Sequence, residues 1–307
     1  MILASCQLVG EYESFESSPG GTTSSGGEAG GTAVDPCAGL DSSKLDPRGL
    51  STLVLVRQGQ ERCSWVDRTE VTTEQYRQFM DATDPPLPDP ERCLWKSEFS
   101  PGVDGTSECA TEARSLQNDA GAPDLPARCV DWCDAEAFCR WQGKRLCYTN
   151  IGASALWEGP RILEEWGAAC SGPAEQPLPY GETGELGVCN IDNQAYCDAY
   201  FQTCAALPPG AFEDCGYQGG PVDMIGNVSE WVFACARDDG TGPVEDEPCF
   251  SLGGSFDDAL DDVTCFTRLH SAPRGALSPA RGFRCCMDLT LDEELAVGEA
   301  AAARDPH

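Results

Sequence analysis

The sequence predicts an α+β fold that is irregular, rich in loops and stapled by disulfides. Two segments carry a clear helical pattern, and the β-prone runs are short. Between these elements the chain is punctuated by 33 glycines, 22 prolines and 19 cysteines in 307 residues. Such frequent turn residues leave little room for long regular elements, so we expect cross-links to supply part of the stability.

The net charge of the chain limits the classes of partner that it can bind. Aspartate and glutamate number 51 against 20 lysines and arginines, which gives a formal net charge of −31. Such a surface repels phosphate backbones and anionic lipids, so we expect no nucleic-acid partner. The excess of acid suits divalent cations or basic partners, although solubility alone also accounts for it.

The cysteine content indicates an oxidising compartment, because thiols in the cytosol are kept reduced. A zinc protein is the competing interpretation. It is disfavoured because the chain has two histidines, His270 and His307, and no paired Cys-x2-Cys units. With Cys6 set aside, 18 cysteines remain, an even number that suits complete pairing.

The N-terminal segment predicts an exported protein. Residues 3–6 read Leu-Ala-Ser-Cys and resemble a bacterial lipobox, in which the cysteine is lipidated after cleavage before it. Cys6 is therefore a candidate lipidation site and would be the only membrane anchor of an outer-membrane lipoprotein facing the periplasm or the cell surface. The stretch that follows is rich in glycine, serine and threonine, which is typical of a flexible tether. The predicted organisation is a signal-peptide remnant at residues 1–6, a tether at 7–50, a globular domain at 51–288 and an acidic tail, either a frayed helix or disordered, at 289–307.

Two helices are predicted within the domain. The first covers residues 72–82, where Thr72 and Gln75 have the spacing of a capping box. The second covers residues 133–142, with Asp131 as its N-cap. The rest of the domain is expected to consist of short strands and loops.

Residues 219–232 contain the candidate metal site. Oxygen donors recur there at near-alternate positions: the carboxylates of Asp223 and Glu230 and the carbonyl groups of Gly226 and Val228. A hard cation such as Ca²⁺ prefers such a mixture of carboxylates and carbonyls. The alternative interpretation is a strand that enters a Gly-Asn turn, with Glu230 solvated.

This stretch and four further motifs resemble, in the same order, the formylglycine-generating enzyme or sulfatase-modifying factor family. The motifs are Asp-Met-x-Gly-Asn-Val-x-Glu-Trp at 223–231, Asp-Arg-Thr-Glu-Val-Thr at 67–72, Val-Asp-Trp and Gly-Lys-Arg-Leu at 130–132 and 143–146, Gly-Gly-Ser-Phe at 253–256, and Arg-Gly-Phe-Arg-Cys at 281–285. The resemblance covers roughly residues 60–288 and implies a C-type-lectin-like fold with few helices and short, twisted strands.

The resemblance also implies two disulfides. Family members carry two structural bridges, and the matching positions pair Cys139 with Cys285 and Cys170 with Cys265. Bridges that close such long loops restrict the unfolded chain most.

Other pairings rest on the sequence alone. Cys235 and Cys249 flank an acidic loop rich in glycine and proline, so we expect a local bridge between them. A bridge from Cys133 to Cys147 across the second helix is plausible. Cys286 is either a reactive thiol or, as we favour in an oxidising compartment, bridged like its neighbour.

The chemistry of the active family members needs groups that are not present here. Those enzymes use a cysteine pair just after Gly-Gly-Ser to bind copper and attack a substrate cysteine, but Asp258 and Val263 stand in that segment and Cys265 is already assigned to a bridge. Copper(I) selects soft thiolates, so we expect no copper. A second branch of the family holds iron with three histidines. This chain has two histidines, so we expect no iron either. His270 is interpreted as a surface-loop residue.

A second calcium loop is suggested by the resemblance. Asn190 and Ile191, followed by Asp198 and Tyr200, match the family's other calcium loop with a shorter spacer. Asn227 heads an N-glycosylation sequon, but the turn explains this asparagine more economically.

Other classes of site find little support in the sequence. There is no Gly-x-Ser-x-Gly elbow, P-loop or dinucleotide-binding glycine pattern. The acidic run at residues 257–262 would attract a cation or a basic partner, but we interpret it as a solvated loop.

Two functions from different classes are consistent with these observations. The first is a non-catalytic, calcium-stabilised binding or structural module of the bacterial cell envelope, whose partner is an unknown envelope protein or glycan. The second, which the resemblance implies, is an oxidase that converts a substrate cysteine to formylglycine. The missing cysteine pair favours the first.

Overall fold

The computed structural model describes residues 35–59, 62–84, 91–96, 122–149, 165–191, 205–236, 243–267 and 270–304, together with positions 86, 89, 99 and 109. The chain divides into two units, Met1–Ala33 and Val34–His307, and the described residues all belong to the second. Cys6 and the lipobox therefore lie outside the described residues. Within the described ranges, none of the helices has the length and apolarity that crossing a bilayer requires.

The elements are short, as an irregular α+β fold requires. The helices with described bounds are α1 (Thr73–Met80), α2 (Trp132–Trp141), α3 (Glu165–Ser171) and α4 (Leu291–Arg304). The strands are β1 (Ser43–Leu45), β2 (Thr52–Gln58), β3 (Arg62–Asp67), β4 (Arg145–Leu146), β5 (Ser229–Cys235), β6 (Pro248–Leu252), β7 (His270–Pro273), β8 (Arg281–Phe283) and β9 (Cys285–Asp288). Single turns of 3₁₀ helix lie at Val244–Asp246 and Leu260–Asp262.

The strands form two sheets. The first sheet is antiparallel, with the strand order β1-β2-β3-β9-β4. The second has the order β7-β6-β5-β8, in which β5 and β8 are parallel and the other pairs are antiparallel. Arg284 is the single residue between β8 and β9, so the chain passes from one sheet to the other at this arginine.

The two predicted helices are confirmed within two residues at each end. Helix α1 begins after Thr72, whose side chain forms the predicted capping box with Gln75. Helix α2 begins after Asp131, which forms a second capping box with Asp134. Gly143 follows the end of α2 with a φ of 74°, a conformation that glycine adopts without a steric penalty.

The domain begins earlier than residue 51, so the predicted end of the tether is wrong. Strand β1 lies upstream of residue 51 and pairs with β2. Cys37 also lies upstream, and its bridge to Cys63 crosses the predicted boundary. At the other end, α4 shows that the acidic tail is helical over much of its length. Glu293 of α4 binds Lys44 of β1 at 2.6 Å, which ties the two ends of the domain together.

Aromatic side chains join the first two helices to the second sheet. Phe138 of α2 packs edge-on against Phe283 of β8 with ring centroids 5.3 Å apart, and Tyr76 of α1 contacts both rings. A separate apolar cluster contains Trp166 of α3 and Val66 of β3. Each such side chain contributes about 1.5–3 kcal/mol through burial. This packing holds β8, and with it Arg284, in place.

Every described cysteine is bridged. The predicted bridges Cys139–Cys285, Cys170–Cys265 and Cys235–Cys249 are confirmed. The described bridges are Cys37–Cys63, Cys93–Cys133, Cys109–Cys129, Cys139–Cys285, Cys147–Cys286, Cys170–Cys265, Cys189–Cys215 and Cys235–Cys249.

The suggested bridge between Cys133 and Cys147 is wrong. Cys133 lies at the start of α2 and pairs with Cys93. Cys147 follows β4, whose pairing with β9 brings it beside Cys286. Cys286 is thus bridged like its neighbour, as the compartment argument favours.

Glu136 of α2 is a buried acid with little compensation. Its Oε2 atom has no hydrogen-bond partner among the described residues, and the Nε atom of Arg140 approaches Oε1 only to 3.6 Å. Burial raises the pKa of Glu136 to about 7, although Arg140 opposes the shift. Ionisation of this side chain therefore destabilises the folded state at neutral pH and above.

We expect Glu136→Gln to stabilise the protein at pH 8 more than at pH 5. The native pKa is raised, so the wild type loses stability as the pH rises from 4.5 to about 7, whereas glutamine does not titrate. The stabilisation should differ between the two pH values by about 2–3 kcal/mol, measured by denaturant unfolding. An equal effect of the substitution at both pH values would contradict the raised pKa.

Candidate functional site

The predicted Gly-Asn turn is present at the centre of the molecule. Gly226 and Asn227 both lie in the left-handed region, with φ values of 80° and 55°. A Cβ atom at residue 226 would lie 2.4 Å from the carbonyl oxygen of Asn190, so glycine is required there. Strand β5 follows and carries Glu230 into the core, where it is 1% exposed. The interpretation of Glu230 as a solvated residue is therefore wrong.

The side chain of Asn227 uses all of its hydrogen-bonding capacity inside the protein. Its Oδ1 atom accepts from the backbone N–H of Leu207 at 2.8 Å and from Nδ2 of Asn190 at 3.0 Å. Its Nδ2 atom donates to Oε2 of Glu70 at 2.9 Å and to the carbonyl of Leu207 at 3.1 Å. The asparagine is buried, so the turn rather than a glycan accounts for it.

Glu230 forms a buried ion pair with Arg284. The Nη2 and Nε atoms of Arg284 donate to the carboxylate at 2.6 and 2.8 Å, and Nε1 of Trp166 donates to Oε2 at 2.7 Å. The other guanidinium hydrogens bind the carbonyl oxygens of Asp67 at 3.0 Å and Val222 at 2.9 Å. With the carbonyl of Arg68, which accepts from Nη1 at 3.3 Å, four further groups complete the hydrogen bonding of this pair.

Two more buried acids lie near this ion pair. Burial raises the pKa of Glu70 well above its ordinary value, and the charges of Asp223 and Glu230 add to the shift. Burial also raises the pKa of Asp223 to about 6, although the backbone N–H of Gly210 donates to its carboxylate. Arg284 is held charged chiefly by Glu230, which outweighs the effect of burial on its pKa. The carboxyl groups of Glu70, Asp223 and Glu230 therefore all interact electrostatically with one guanidinium group, that of Arg284.

The predicted calcium ligands fit this cluster only in part. Surplus negative charge near Asp223 suits a divalent cation, and the carbonyl groups of Gly226 and Val228 belong to the same turn. Glu230 does not fit as a ligand, because both of its oxygens already accept hydrogen bonds from buried donors. The excess of buried acid is compatible with a cation, but of the four predicted ligands Glu230 does not fit.

The second predicted calcium loop is described at one end. Asn190 and Ile191 are buried, whereas Asp198 and Tyr200 lie outside the described residues. The carbonyl oxygen of Asn190 accepts from the backbone N–H of Asn227 at 2.8 Å. This loop therefore braces the first one through direct hydrogen bonds.

The segment after Gly-Gly-Ser forms a compact turn. The backbone N–H and the hydroxyl of Ser255 donate to Oδ2 of Asp258 at 2.7 and 2.8 Å. The Nε2 atom of His270 lies 3.1 Å from both oxygens of Asp258. These hydrogen bonds lower the pKa of Asp258 against the opposing effect of its burial. Val263, which lies in the same segment where the family's chemistry needs a thiol pair, is a buried apolar residue.

Two interpretations of this region need correction. His270 is the first residue of β7 rather than part of a surface loop, because pairing of β7 with β6 extends to it. Asp258 is not a solvated member of the acidic run, because its carboxylate contacts the backbone N–H and hydroxyl of Ser255 and the imidazole of His270. Ser255 binds the aspartate and not the imidazole, so the three side chains lack the serine–histidine contact of a catalytic triad.

Cys147, Glu165 and Cys286 form the one group of potential metal ligands within the described ranges. The two sulfur atoms are bonded to each other, and Glu165 binds Arg145 through both of its oxygens. All three side chains are therefore committed to structural contacts.

Sequence reasoning missed the partners of Glu230. Arg284 belongs to a quoted motif and Trp166 to none, and nothing local in the chain links either residue to a glutamate many residues away. Glu70 was likewise quoted only as part of a motif. The signal available was an arginine between apolar residues and cysteines, which is typical of a buried cation that needs a carboxylate.

The fold and the site define a disulfide-stapled α+β domain organised around a buried arginine–glutamate pair. The model of the sulfatase-modifying factor enzyme 1-like domain matches residues 57–289, which are more than half of the chain. The chain therefore belongs to this family, and the resemblance found in its motifs is confirmed.

A curated relative agrees with this assignment. The formylglycine-generating enzyme of Bos taurus is 27% identical over 191 residues, which are 54% of this chain and 45% of the bovine protein. The chain thus spans about half the length of this relative.

A solved structure shares the architecture. PvdO from Pseudomonas aeruginosa is 17% identical with a TM-score of 0.50, over 80% of this chain and 98% of PvdO. Treponema denticola variable protein 1 is 16% identical with a TM-score of 0.46, over 81% of this chain and all of that one. At such identity the likeness to PvdO concerns the fold alone, and it agrees with the predicted fold class.

We expect Arg284→Met to lower the free energy of unfolding by about 3–5 kcal/mol, because Glu230 would remain buried without its counter-charge. Glu230→Gln should also destabilise. In the double variant both charges are gone, so the loss should be smaller than the sum of the single losses by more than about 1 kcal/mol. The measurement is denaturant unfolding of all four proteins.

The pair between Lys44 and Glu293 provides the control, because both of its side chains are partly solvated. The same cycle there should give a coupling below about 1 kcal/mol. Strictly additive losses at the buried pair would show that Arg284 and Glu230 do not depend on each other.

Proposed function

We propose that the chain is a non-catalytic, calcium-stabilised binding or structural module of the bacterial cell envelope, built on the formylglycine-generating-enzyme scaffold. The observation that carries the proposal is the state of the cysteines. Every described cysteine is bridged, and Asp258 and Val263 occupy the segment where a thiol pair is needed. Neither side chain is a ligand that copper(I) prefers.

The proposed location follows from the same cross-links. The density of disulfides indicates an exported protein in an oxidising environment. We further propose that a lipid at Cys6 anchors the protein to the outer membrane. Its partner would be an envelope protein or a glycan, since a net charge of −31 disfavours nucleic acid.

The alternative function is that of the family's oxidase, which converts a substrate cysteine to formylglycine. Membership of the family and the likeness to the bovine enzyme favour it. The reaction would need two reactive thiols, and these would have to come from Cys6, Cys197 and Cys204, the cysteines outside the described residues.

An assay of the oxidase reaction separates the two functions. We expect that incubation of the full chain with Cu(I), oxygen and a Cys-x-Pro-x-Arg peptide leaves the mass of the peptide unchanged. The bovine enzyme, assayed under the same conditions, is the positive control. Appearance of formylglycine in the peptide would overturn the non-catalytic proposal, as would two reactive thiols in the denatured, unreduced domain together with any turnover.

Calcium is proposed to bind at the carboxylate of Asp223 and the carbonyl groups of Gly226 and Val228. The surplus of buried acid supports this, because two carboxyl groups beside the ion pair have raised pKa values and form no ion pair of their own with any described residue. A calcium ion there would supply positive charge that holds the turn, so its role is stability. Asn190, Ile191, Asp198 and Tyr200 form the weaker candidate site.

We expect EDTA to lower the melting temperature of the wild type. Binding to the native state alone adds about 2.7 kcal/mol at a hundredfold excess of ligand over Kd. Asp223→Asn should melt lower in calcium and respond less to EDTA, and asparagine tolerates the left-handed backbone at this position.

Asp261→Asn is the matched control, because Asp261 is an exposed acid of the run that follows Gly-Gly-Ser. This variant should respond to EDTA like the wild type. Equal melting of the wild type with and without calcium would remove the calcium site from the proposal.

A further inference from the structure

A pocket of about 520 Å³ lies between strand β2, helix α3 and the loop that follows the helix. Its volume falls within the range of about 300–1,000 Å³ that is typical of small-molecule sites. None of the residues of the buried acid cluster or of the Ser255–Asp258 turn lines it. Its apolar lining residues are Leu40, Leu55, Ala168, Pro173, Tyr217 and Phe266.

Tyr217 is built into the wall of this pocket. Its ring is held between Gly172 and Gly220, where an added Cβ atom would lie 2.7 and 2.3 Å from ring atoms. Burial raises the pKa of Tyr217 to about 12, and its hydroxyl has no hydrogen-bond partner among the described residues. The pocket therefore offers an aromatic ring that the two glycines hold in a fixed position.

Two charged residues line the pocket, and only one of them has an ion-pair partner among the described residues. Arg57 is neutralised by Asp35, with which it forms an ion pair. Glu175 is exposed and has no ion pair among the described residues. Its φ of 53° is uncommon for a residue other than glycine, and its N–H donates to the carbonyl of Gly172 at 3.0 Å. The pocket thus carries one uncompensated negative charge.

We propose that this pocket binds a small amphipathic cation, with its apolar body against Tyr217 and Phe266 and its ammonium group towards Glu175. Burial of hydrocarbon against the apolar walls drives binding, and the aromatic faces attract a cation. The net charge of −31 concentrates cations near the surface and repels an anion of the same shape. The proposal goes beyond the proposed function and does not depend on calcium.

A series of three compounds with one apolar body tests the chemistry of the ligand. 4-Phenylbutylamine, 4-phenylbutanol and 4-phenylbutyrate are titrated into the full chain by calorimetry at about 0.15 M salt, which screens remote charges. We expect the amine to bind most tightly and the carboxylate least. Glu175→Gln should weaken binding of the amine by about fivefold and leave the alcohol unchanged.

Glu182→Gln is the matched control, because Glu182 is exposed, lies outside the pocket lining and changes the net charge equally. It should leave all three affinities as they are. Ala168→Leu should weaken binding of the amine and the alcohol, because the larger side chain takes up part of the cavity. If Ala168→Leu does not fold, Leu40→Trp fills the cavity from a different element.

Three results would overturn the proposal. The first is no binding of any compound at millimolar concentration. The second is equal affinity of the amine and the carboxylate for the wild type. The third is binding that persists unchanged in a folded cavity-filling variant. Loss of amine binding in Glu175→Gln and Glu182→Gln alike would show a general field effect, which also contradicts the assignment to Glu175.

Discussion

The ion pair between Arg284 and Glu230 is the constraint on which the rest of this structure depends. Arg284 is the single residue between β8 of the second sheet and β9 of the first, and Glu230 lies in β5, an inner strand of the second sheet. The remaining guanidinium hydrogens bind the carbonyl oxygens of Asp67 and Val222. A buried charge that loses its partner costs several kcal/mol. Both sheets, the end of β3 and the chain leading to the Gly-Asn turn are therefore fixed at one point.

An irregular chain with such short strands needs side chains to satisfy its buried polar groups. Asn227 satisfies buried polar groups beside the Gly-Asn turn. A second buried cation satisfies those at the end of β3. Lys144 is fully buried and binds Asp67 at 2.7 Å and Asp46 at 3.3 Å. Asp67 in turn accepts the backbone N–H of Cys285 at 3.0 Å. The residues before and after Arg284 are thus held by one connected set of polar contacts, which the disulfides reinforce.

Local patterns made part of this structure predictable. A capping box depends on residues three apart, so the starts of both helices followed from the sequence, and the motifs implied two long-range bridges. The start of the domain was predicted too late, because β1 has few apolar residues and depends on pairing with β2. The partner of Glu230 was beyond such reasoning, since Arg284 lies 54 residues away. A spacing of oxygen donors does not distinguish a metal ligand from one half of an ion pair.

The polar contacts and cross-links that hold the fold are separate from the segment where the family's chemistry takes place. The ion pair, the Asn227 turn and the described disulfides do not use the side chains of Asp258 or Val263. Each of these two residues has local contacts instead, Asp258 with Ser255 and His270, and Val263 within the apolar cluster around Trp166. Replacement of a thiol pair at these positions therefore need not disturb the frame. A scaffold of this kind can keep its architecture while its function changes, because function resides in the site and not in the fold.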